Sequence, residues 1–431
     1  MLTSLKLHQF RYIKPGTELV FTEHFNVLLG KNGTGKTTLL DLISMVLRSD
    51  FSALRDEAFD IEYEYAHEHG RGLVRFENKL KQPAHRPGGN GKPRQHHPHV
   101  AITLHLDRIG PDERCEIEVE GAIMRWHKNS SAWEGSEVVD VFEHPLLGML
   151  AGTLSFVDRH ALEAFAILGE FNQYGEWVYR FDESIEVFES ITVGGFQPMR
   201  QRSGRAPAIS MEMRFGPGID GLPFSSAQRS VFVPRYYEPA RPEPGKSSTN
   251  VELPSGSSLA EFPQLAGLKK MSVSFSVEGS QQEAGDLWWS FGHAEFLFTG
   301  PGGVVFNHNV LSYGQKRLLA FLYYLDANPK FVIADELVNG MHHDWIRACL
   351  TEIGDRQSFL TSQNPLLLDY LPLESVAQVQ KSFIQCRAEV VGDATQIVWS
   401  NLATEDAEEL FADYQVGIQH VGEILRARGL W

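Results

Sequence analysis

The feature that most constrains this fold is a glycine-rich loop that follows a short apolar run. Residues 26–38 read NVLLGKNGTGKTT and contain the spacing Gly30-x-x-x-x-Gly35-Lys36-Thr37. At this spacing, backbone N–H groups can surround a triphosphate at a helix N-terminus, and glycines let the backbone approach the phosphates. Lys36 would neutralise the β and γ phosphates, and the Thr37 hydroxyl would hold Mg²⁺. The loop therefore predicts an ATP or GTP site.

The flanking sequence supports this prediction. Residues 25–29 have the pattern of a buried strand, and residues 37–47 have the pattern of an amphipathic helix. The alternative is a glycine-rich turn that only joins a strand to a helix. The residues expected to contact the nucleotide are those of the loop and the first helical turn: Gly30, Lys31, Asn32, Gly33, Thr34, Gly35, Lys36, Thr37 and Thr38.

Charge and cysteine content narrow the class of protein. The 431 residues include 39 Lys and Arg against 55 Asp and Glu, a net charge of −16. Such an acidic chain is a poor general nucleic-acid binder, so DNA contact would need a local basic patch. The three cysteines are far apart and favour neither a disulfide framework nor a zinc site. Without a signal-peptide pattern or an apolar run of transmembrane length, we expect a soluble, cytoplasmic protein with no membrane partner.

The middle of the chain is less regular. Alternating segments at residues 59–66, 72–80, 100–106 and 115–126 predict an antiparallel β layer. Residues 81–99, rich in Pro, Gly, His and basic side chains, predict a loop; it could be a DNA-sensing or metal-binding finger, or simply solvated. Residues 238–258 are typical of a flexible linker or lid. No heptad pattern indicates a coiled-coil arm.

Regular elements return in the last third of the chain. Strands are predicted at 271–277 and 287–298, a helix from Leu311 to about Leu325, a buried strand at 330–334, a helix at 342–353 and a strand at 358–361. Strands that alternate with helices indicate a mainly parallel sheet with ligand groups at the strand carboxyl ends. Beyond them we predict strands at 376–383, 388–391 and 396–399, and a helical tail over 405–431.

Two of these segments carry chemistry. Asp335 and Glu336 end an apolar strand, so Asp335 would hold Mg²⁺ while Glu336 would orient or deprotonate the attacking water. Ser312, Gly314 and Gln315 lie in the sequence LSYGQ at a helix start. Ser312 and Gln315 fit a helix capping box, and the same helix N-terminus could bind the γ phosphate of a nucleotide held by another subunit. Both interpretations can hold at once.

The order of these motifs resembles an ABC-type ATPase head, with SMC-like, RecF-like and OLD-like AAA family ATPases as the nearest types. The phosphate loop, the LSxGQ-like signature, the apolar strand with Asp-Glu and a polar switch follow one another, and Leu5-x-x-x-x-Phe10-Arg11 resembles the opening of such heads. The match covers residues 1–48 and 270–385. It implies that two heads dock head-to-tail around ATP, with Ser312, Gly314 and Gln315 acting in trans.

The chain departs from that family in two places. Family members commonly carry a histidine in the switch, whereas this chain reads Ser362-Gln363-Asn364-Pro365. Gln363 can hydrogen-bond a phosphate or a water but cannot become cationic, so we expect slow hydrolysis. The glutamine loop that usually coordinates Mg²⁺ is not placed, because residues 158–160 and 234–236 both fit.

These observations predict an α/β, ABC-ATPase-like P-loop fold with a mainly parallel sheet, an antiparallel β layer and a β-rich insertion. The expected divisions are 1–145 and 271–385 for the two parts of the head, 146–270 for an insertion or lid, and 386–431 for a strand and helical tail. The resemblance implies an ATPase, using ATP and Mg²⁺, that oligomerises and controls a separate effector such as a nuclease, because compact ATPases of this kind resemble those of bacterial anti-phage defence and retron systems. The alternatives are a DNA-repair ATPase and an ATP-gated scaffold with little turnover.

Overall fold

The computed structural model describes residues 1–48, 51–67, 70–79, 97–106, 114–120, 123–128, 131–138, 211–216, 224–229, 237–283, 286–362, 366–392, 394–416 and 420–427. The chain divides into two compact units. The first unit comprises Met1–Val178 and Gln357–Trp431, and the second comprises Tyr179–Arg356. The predicted loop over 81–99 lies outside the described residues up to position 96, and its last three residues, 97–99, belong to a strand instead. The segments 158–160, 234–236 and 363–365 and the end of the tail also lie outside them.

Strands and helices alternate with short turns along the described parts of the chain. Those of residues 1–138 are β1 (Leu2–Phe10), β2 (Thr17–Val20), β3 (Phe25–Leu29), α1 (Lys36–Arg48), a 3₁₀ turn (Ser52–Leu54), β4 (Phe59–His67), β5 (Gly70–Lys79), β6 (His97–Leu106), β7 (Arg114–Glu120), β8 (Ile123–Lys128) and β9 (Ser131–Val138). Those of residues 211–353 are β10 (Met211–Gly216), β11 (Phe224–Arg229), β12 (Glu238–Pro239), β13 (Ser248–Glu252), a 3₁₀ turn (Ser258–Glu261), α2 (Phe262–Leu265), β14 (Lys270–Glu283), β15 (Asp286–Thr299), β16 (Val305–Asn307), a 3₁₀ turn (His308–Val310), α3 (Tyr313–Ala327), β17 (Phe331–Ala334) and α4 (His343–Ile353). The remainder are β18 (Gln357–Thr361), α5 (Leu366–Asp369), α6 (Val376–Ser382), β19 (Phe383–Val391), β20 (Ala394–Asn401), α7 (Thr404–Val416) and α8 (Val421–Ala427).

An antiparallel sheet of eight strands forms one layer of the first unit, in the order β2-β1-β4-β5-β6-β7-β8-β9. The alternation of apolar and polar residues along the strands explains why this sheet buries one face. In β1, Leu2, Leu5 and Leu7 are fully buried while the residues between them are partly exposed. The predicted antiparallel layer is therefore confirmed. The segment predicted as one strand over 115–126 is two strands, β7 and β8.

The second sheet of the first unit carries the phosphate loop. β3 lies between β18 and β19 and is parallel to both, while β20 is antiparallel to β19. The buried amide of Gln357 joins this sheet to β1, because its Oε1 accepts from Leu2 N at 2.8 Å and its Nε2 donates to Leu2 O at 2.7 Å. The strand predicted over 376–383 is wrong. Residues Val376–Ser382 form helix α6, whose N-terminus is capped by the Ser375 side chain.

The second unit contains an antiparallel sheet in the order β11-β10-β15-β14-β13-β12, with β16 paired to β15. The prediction of a flexible linker over 238–258 is wrong, because β12 and β13 belong to this sheet. Hydrogen bonds to the buried Asp326 of α3 explain why residues 238–258 are ordered. The Asp326 carboxylate accepts from Tyr237 Oη and Ser257 Oγ, both at 2.5 Å, and from Ser258 N at 2.7 Å. The mixed α/β fold with several sheets predicted from the sequence is confirmed.

The C-terminal part supplies helices to the first unit. The predicted helical tail is present as α7 and α8 over the described part of residues 405–431. Leu410, Ile424 and Leu425 are buried, as expected for an apolar stripe that packs on its own unit. Among the described residues, none of the helices has the length and apolar character needed to cross a membrane.

Candidate functional site

The phosphate loop joins β3 to α1 in the first unit. Lys36 is the first residue of α1, and its Nζ donates to Gly30 O at 2.7 Å and to Lys31 O at 3.1 Å. Thr34 Oγ1 donates to the same Lys31 carbonyl at 2.7 Å. These bonds hold the lysine ammonium against the loop that it would serve, so its positive charge and the helix N-terminus act at one place.

Residues of strands β19 and β20 contact this loop. Gly30 has φ +149, and a Cβ at this position would lie 2.2 Å from the carbonyl oxygen of Cys386. Only glycine fits there. Buried Trp399 donates from Nε1 to Thr34 O at 3.3 Å. Cys386 and Trp399 were not predicted from the sequence, because their role depends on a sheet neighbour more than 350 residues away in the chain.

The loop residues fit a phosphate ligand, and the Cys386 thiol next to the loop does not fit the role of a nucleophile. Lys31, Asn32, Gly33 and Thr37 are exposed, so a ligand could reach the loop from solvent. Burial raises the pKa of the Cys386 thiol to about 12, against the opposing charge of Lys36. The thiol is therefore neutral at physiological pH and does not act as a nucleophile. The positive-φ glycines, the lysine and a 13-residue helix together fit the donor set that binds a triphosphate.

The predicted signature segment, residues 311–317, begins α3 in the second unit. Gln315 N donates to Ser312 Oγ at 3.3 Å, and Ser312 N donates to Gln315 Oε1 at 3.0 Å. The capping box predicted from the sequence is thus confirmed. Ser312 is exposed while Gly314 is buried. The serine therefore caps the helix and still faces solvent, where an anion could approach the helix N-terminus.

The Asp-Glu turn, residues 335–340, follows the buried strand β17. Asp335 and Glu336 are half-buried, and Glu336 has φ +54, a left-handed backbone conformation that glutamate rarely adopts. Arg317 of the signature segment holds this backbone in place. Its Nη2 donates to Glu336 O in a short hydrogen bond, and its Nε donates to Leu337 O at 3.1 Å.

A close approach of two glycines adds to this connection. A Cβ on Gly314 would lie 2.8 Å from Gly340 O and 3.0 Å from the Trp345 ring. A Cβ on Gly340 would lie 2.7 Å from the Tyr313 ring. The signature segment and the Asp-Glu turn are therefore packed without space for a side chain between them.

The predicted site residues divide between the two units. The phosphate-loop residues, including Lys36 and Thr37, lie in the first unit. Ser312, Gly314, Gln315, Asp335 and Glu336 lie in the second, where the contacts of Arg317 bring the signature segment and the Asp-Glu turn together. Gln363 lies outside the described residues.

Arg317 was not predicted as a functional residue. Its 9% exposure is low for an arginine, and it opens an otherwise apolar run in α3. This contrast could have identified Arg317 from the sequence, because a charged residue within an apolar helix is buried only when it is paired.

A group of possible metal ligands follows the Asp-Glu turn. In the described part of the chain, His342, His343 and Asp344 place one ligand atom each within 4.8 Å of one another, and all three residues are exposed. The Asp344 carboxylate lies 3.4 Å from His342 Nδ1 and 3.3 Å from His343 Nε2. These contacts lie at the start of α4, where an acidic side chain stabilises the helix N-terminus.

Comparison with known proteins adds one sequence match. Residues 4–104 match the family model of an AAA domain. This range contains β1, the phosphate loop and α1, so the match falls on the part of the chain that carries the predicted nucleotide site. No match was found among curated protein sequences.

Several solved structures are similar to the chain at low identity. The SMC head domain from Thermotoga maritima is 12% identical with a TM-score of 0.37, and the alignment covers 93% of this chain and 99% of that one. An Smc head domain from Pyrococcus furiosus, solved with the C-terminal domain of ScpA, is 12% identical with a TM-score of 0.36, covering 96% and 99%. The recombination mediator protein RecF is 11% identical with a TM-score of 0.33, covering 94% and 98%.

Proposed function

We propose that this protein binds ATP at the loop between β3 and α1 and hydrolyses it. The observation that carries the proposal is the position of Lys36, whose ammonium is held against the glycine-rich loop at the N-terminus of α1. A positive charge, exposed loop residues and a helix N-terminus at one point are the elements that bind a triphosphate. The AAA-domain match over the same residues supports this assignment.

The hydrolytic roles follow from the chemistry of each side chain. Lys36 would stabilise charge on the β and γ phosphates, and Glu336 would orient or deprotonate the attacking water. Bound Mg²⁺, for which Thr37 and Asp335 offer oxygen ligands, would neutralise phosphate charge. Gln363 would hydrogen-bond the water or phosphate as a neutral group, so we expect turnover to be slow.

A second copy of the chain is part of this proposal. Val304, Val305, Val310 and Tyr313 are all more than 60% exposed, and all lie within ten residues of Ser312. Several exposed apolar side chains that are close in sequence favour a surface that another protein covers. We propose that the covering surface belongs to another copy, whose bound ATP receives Ser312, Gly314 and Gln315.

Two substitutions test the hydrolysis. Lys36→Ala is expected to abolish ATP binding, and Glu336→Gln to keep binding while lowering kcat by about 100-fold or more. Binding is measured with a fluorescent ATP analogue and turnover by phosphate release. Lys14→Ala is the control, because Lys14 is an exposed lysine of the same unit that is not among the residues expected to contact the nucleotide. Unchanged turnover in the Glu336→Gln protein would disprove the catalytic assignment.

The partner part of the proposal is an effector protein, such as a nuclease in anti-phage defence, controlled by the nucleotide state. It is supported by the resemblance of the motifs alone. Copurification with a candidate effector, with and without ATP, tests it. If the chain is an ATP-gated scaffold, Lys36→Ala releases the effector and Glu336→Gln does not. If it is a DNA-repair ATPase, it binds duplex DNA with an affinity that falls as salt rises.

A further inference from the structure

The left-handed backbone of Glu336 needs support from its surroundings. A non-glycine residue at φ +54 has a less favourable backbone conformation than the common ones, and such residues persist only where neighbouring contacts hold them. For Glu336 that support comes from Arg317, which donates to the carbonyl of Glu336 and to the carbonyl of Leu337. The guanidinium is planar and its five N–H donors point in fixed directions, so the two that make these hydrogen bonds fix the orientation of both peptide groups.

Arg317 also links the signature segment, which is proposed to bind a phosphate, to the Asp-Glu turn, which is proposed to bind Mg²⁺ and orient the attacking water. It stands five residues after Ser312, in the first turns of α3, and its own helix packs on the Asp-Glu turn through Gly314 and Gly340. A ligand that displaces the start of α3 would therefore act on the backbone that carries the Glu336 carboxylate, through the hydrogen bonds of Arg317 and the close contact between Gly314 and Gly340. At this contact, overlap of atoms opposes a movement of one segment toward the other.

From these contacts we propose that Arg317 is a positioning residue for hydrolysis. It sets the direction of the Glu336 carboxylate through the main chain, and it transmits the occupancy of the signature segment to that carboxylate. The inference rests on the proposed ATPase function and names a regulatory path for it. It predicts that Arg317 affects the rate of hydrolysis and not the affinity for ATP, because the phosphate loop makes its own contacts in the first unit.

The test uses the full chain and compares Arg317→Met with Arg356→Met. Arg356 is a matched control: it also lies in the second unit and donates to main-chain carbonyls, among them Asn328 O at 3.0 Å and Glu352 O at 2.7 Å. Arg317→Met is expected to lower kcat about 100-fold with the KM for ATP changed by less than about twofold. Arg317→Lys should recover part of the rate, since an ammonium can replace only part of the fork.

A second readout does not depend on hydrolysis. Asn339 N donates to Glu336 O at 3.2 Å, and Met341 N donates to Val338 O at 3.1 Å. Hydrogen exchange at these two amides should accelerate in Arg317→Met and stay at the wild-type rate in Arg356→Met. Unchanged exchange in Arg317→Met, or an equal loss of kcat in both variants at matched thermal stability, would overturn the inference. A wild-type protein without turnover would instead overturn the proposed ATPase function, and the exchange result would still decide whether Arg317 positions the turn.

Discussion

At the scale of single residues, Glu336 combines a proposed catalytic role with an unfavourable backbone. Glycine adopts φ +54 at little cost, so Glu336→Gly should have a higher free energy of unfolding than Glu336→Gln, by about 1 kcal/mol. Both variants should lose turnover, because neither carries a carboxylate. Chemical denaturation measures the difference.

Asp335 provides the control for this comparison, because its φ is not positive. Asp335→Gly should be less stable than Asp335→Asn, the reverse of the order at Glu336. If glycine destabilised both positions equally, the left-handed conformation of Glu336 would not be a feature of the protein in solution.

Ser312 allows its two proposed roles to be separated. An aspartate can also accept the Gln315 N–H, so Ser312→Asp should keep the helix cap, whereas Ser312→Ala should lose about 1 kcal/mol of stability. The aspartate charge would repel a phosphate, so Ser312→Asp should fold like the wild type and lose turnover. Urea unfolding and phosphate release measure the two effects. Full turnover in Ser312→Asp would show that no phosphate comes near this residue.

At the scale of elements, periodicity in the sequence predicted what local pattern controls. The strand before the phosphate loop, the helix after it, the capping box of α3 and the strand before Asp335 all agree with the structure. Residues 376–383 were predicted as a strand, but residues 376–382 form a helix that begins at the Ser375 cap. Residues 238–258 were misread because Pro, Gly and Ser dominate their composition.

Residues 238–258 are ordered by hydrogen bonds to a residue that is distant in the sequence, and no local pattern reveals such a contact. Asp326 lies 89 residues after Tyr237 and accepts hydrogen bonds from the side chains of Tyr237 and Ser257. For the same reason, Trp399 beneath the phosphate loop and the bonds from Arg317 to the Asp-Glu turn were not predicted. Local sequence determines where elements form, and long-range polar contacts determine which irregular segments become ordered.

Tyr237 makes this contact testable by pH. Burial, and then the charge of Asp326, raises the pKa of Tyr237 well above its usual value. Its contribution to stability is therefore complete below pH of about 10, where the unfolded tyrosine titrates, and is lost as pH rises further. Tyr237→Phe should lose about 1.5–3 kcal/mol at neutral pH, since a hydrogen bond to a charged group is removed. It should also lose less additional stability than the wild type above pH of about 10.

Unfolding by urea at neutral and alkaline pH measures both effects. The alkaline loss should shrink and not disappear, because burial also raises the pKa of Tyr65 in the first unit well above its usual value. Equal alkaline losses in the wild type and Tyr237→Phe would contradict the buried contact.

At the scale of the whole molecule, the sequence predicted the local elements that carry the motifs but not how these elements are distributed over the fold. The motif order gave the positions of the phosphate loop, the signature segment and the Asp-Glu turn along the chain. It did not show that the first of these lies in one compact unit while the other two are joined in the second. Contact between distant segments depends on how the roughly 270 intervening residues fold, and no short motif encodes that.

The exposed apolar residues near Ser312 give a prediction about assembly. With ATP and Mg²⁺, Glu336→Gln should form a species of at least twice the monomer mass, because bound nucleotide is retained. Adding Val310→Glu should prevent this, since Val310 is 68% exposed and a charge would be buried in the proposed interface. Adding Val416→Glu is the matched control, because Val416 is 63% exposed in α7 of the first unit.

Light scattering after size exclusion measures the mass, and a fluorescent ATP analogue confirms that every variant still binds nucleotide. Assembly of the Val310→Glu protein at the same ATP concentration would place the interface elsewhere, and a monomeric Glu336→Gln protein would contradict ATP-driven assembly itself.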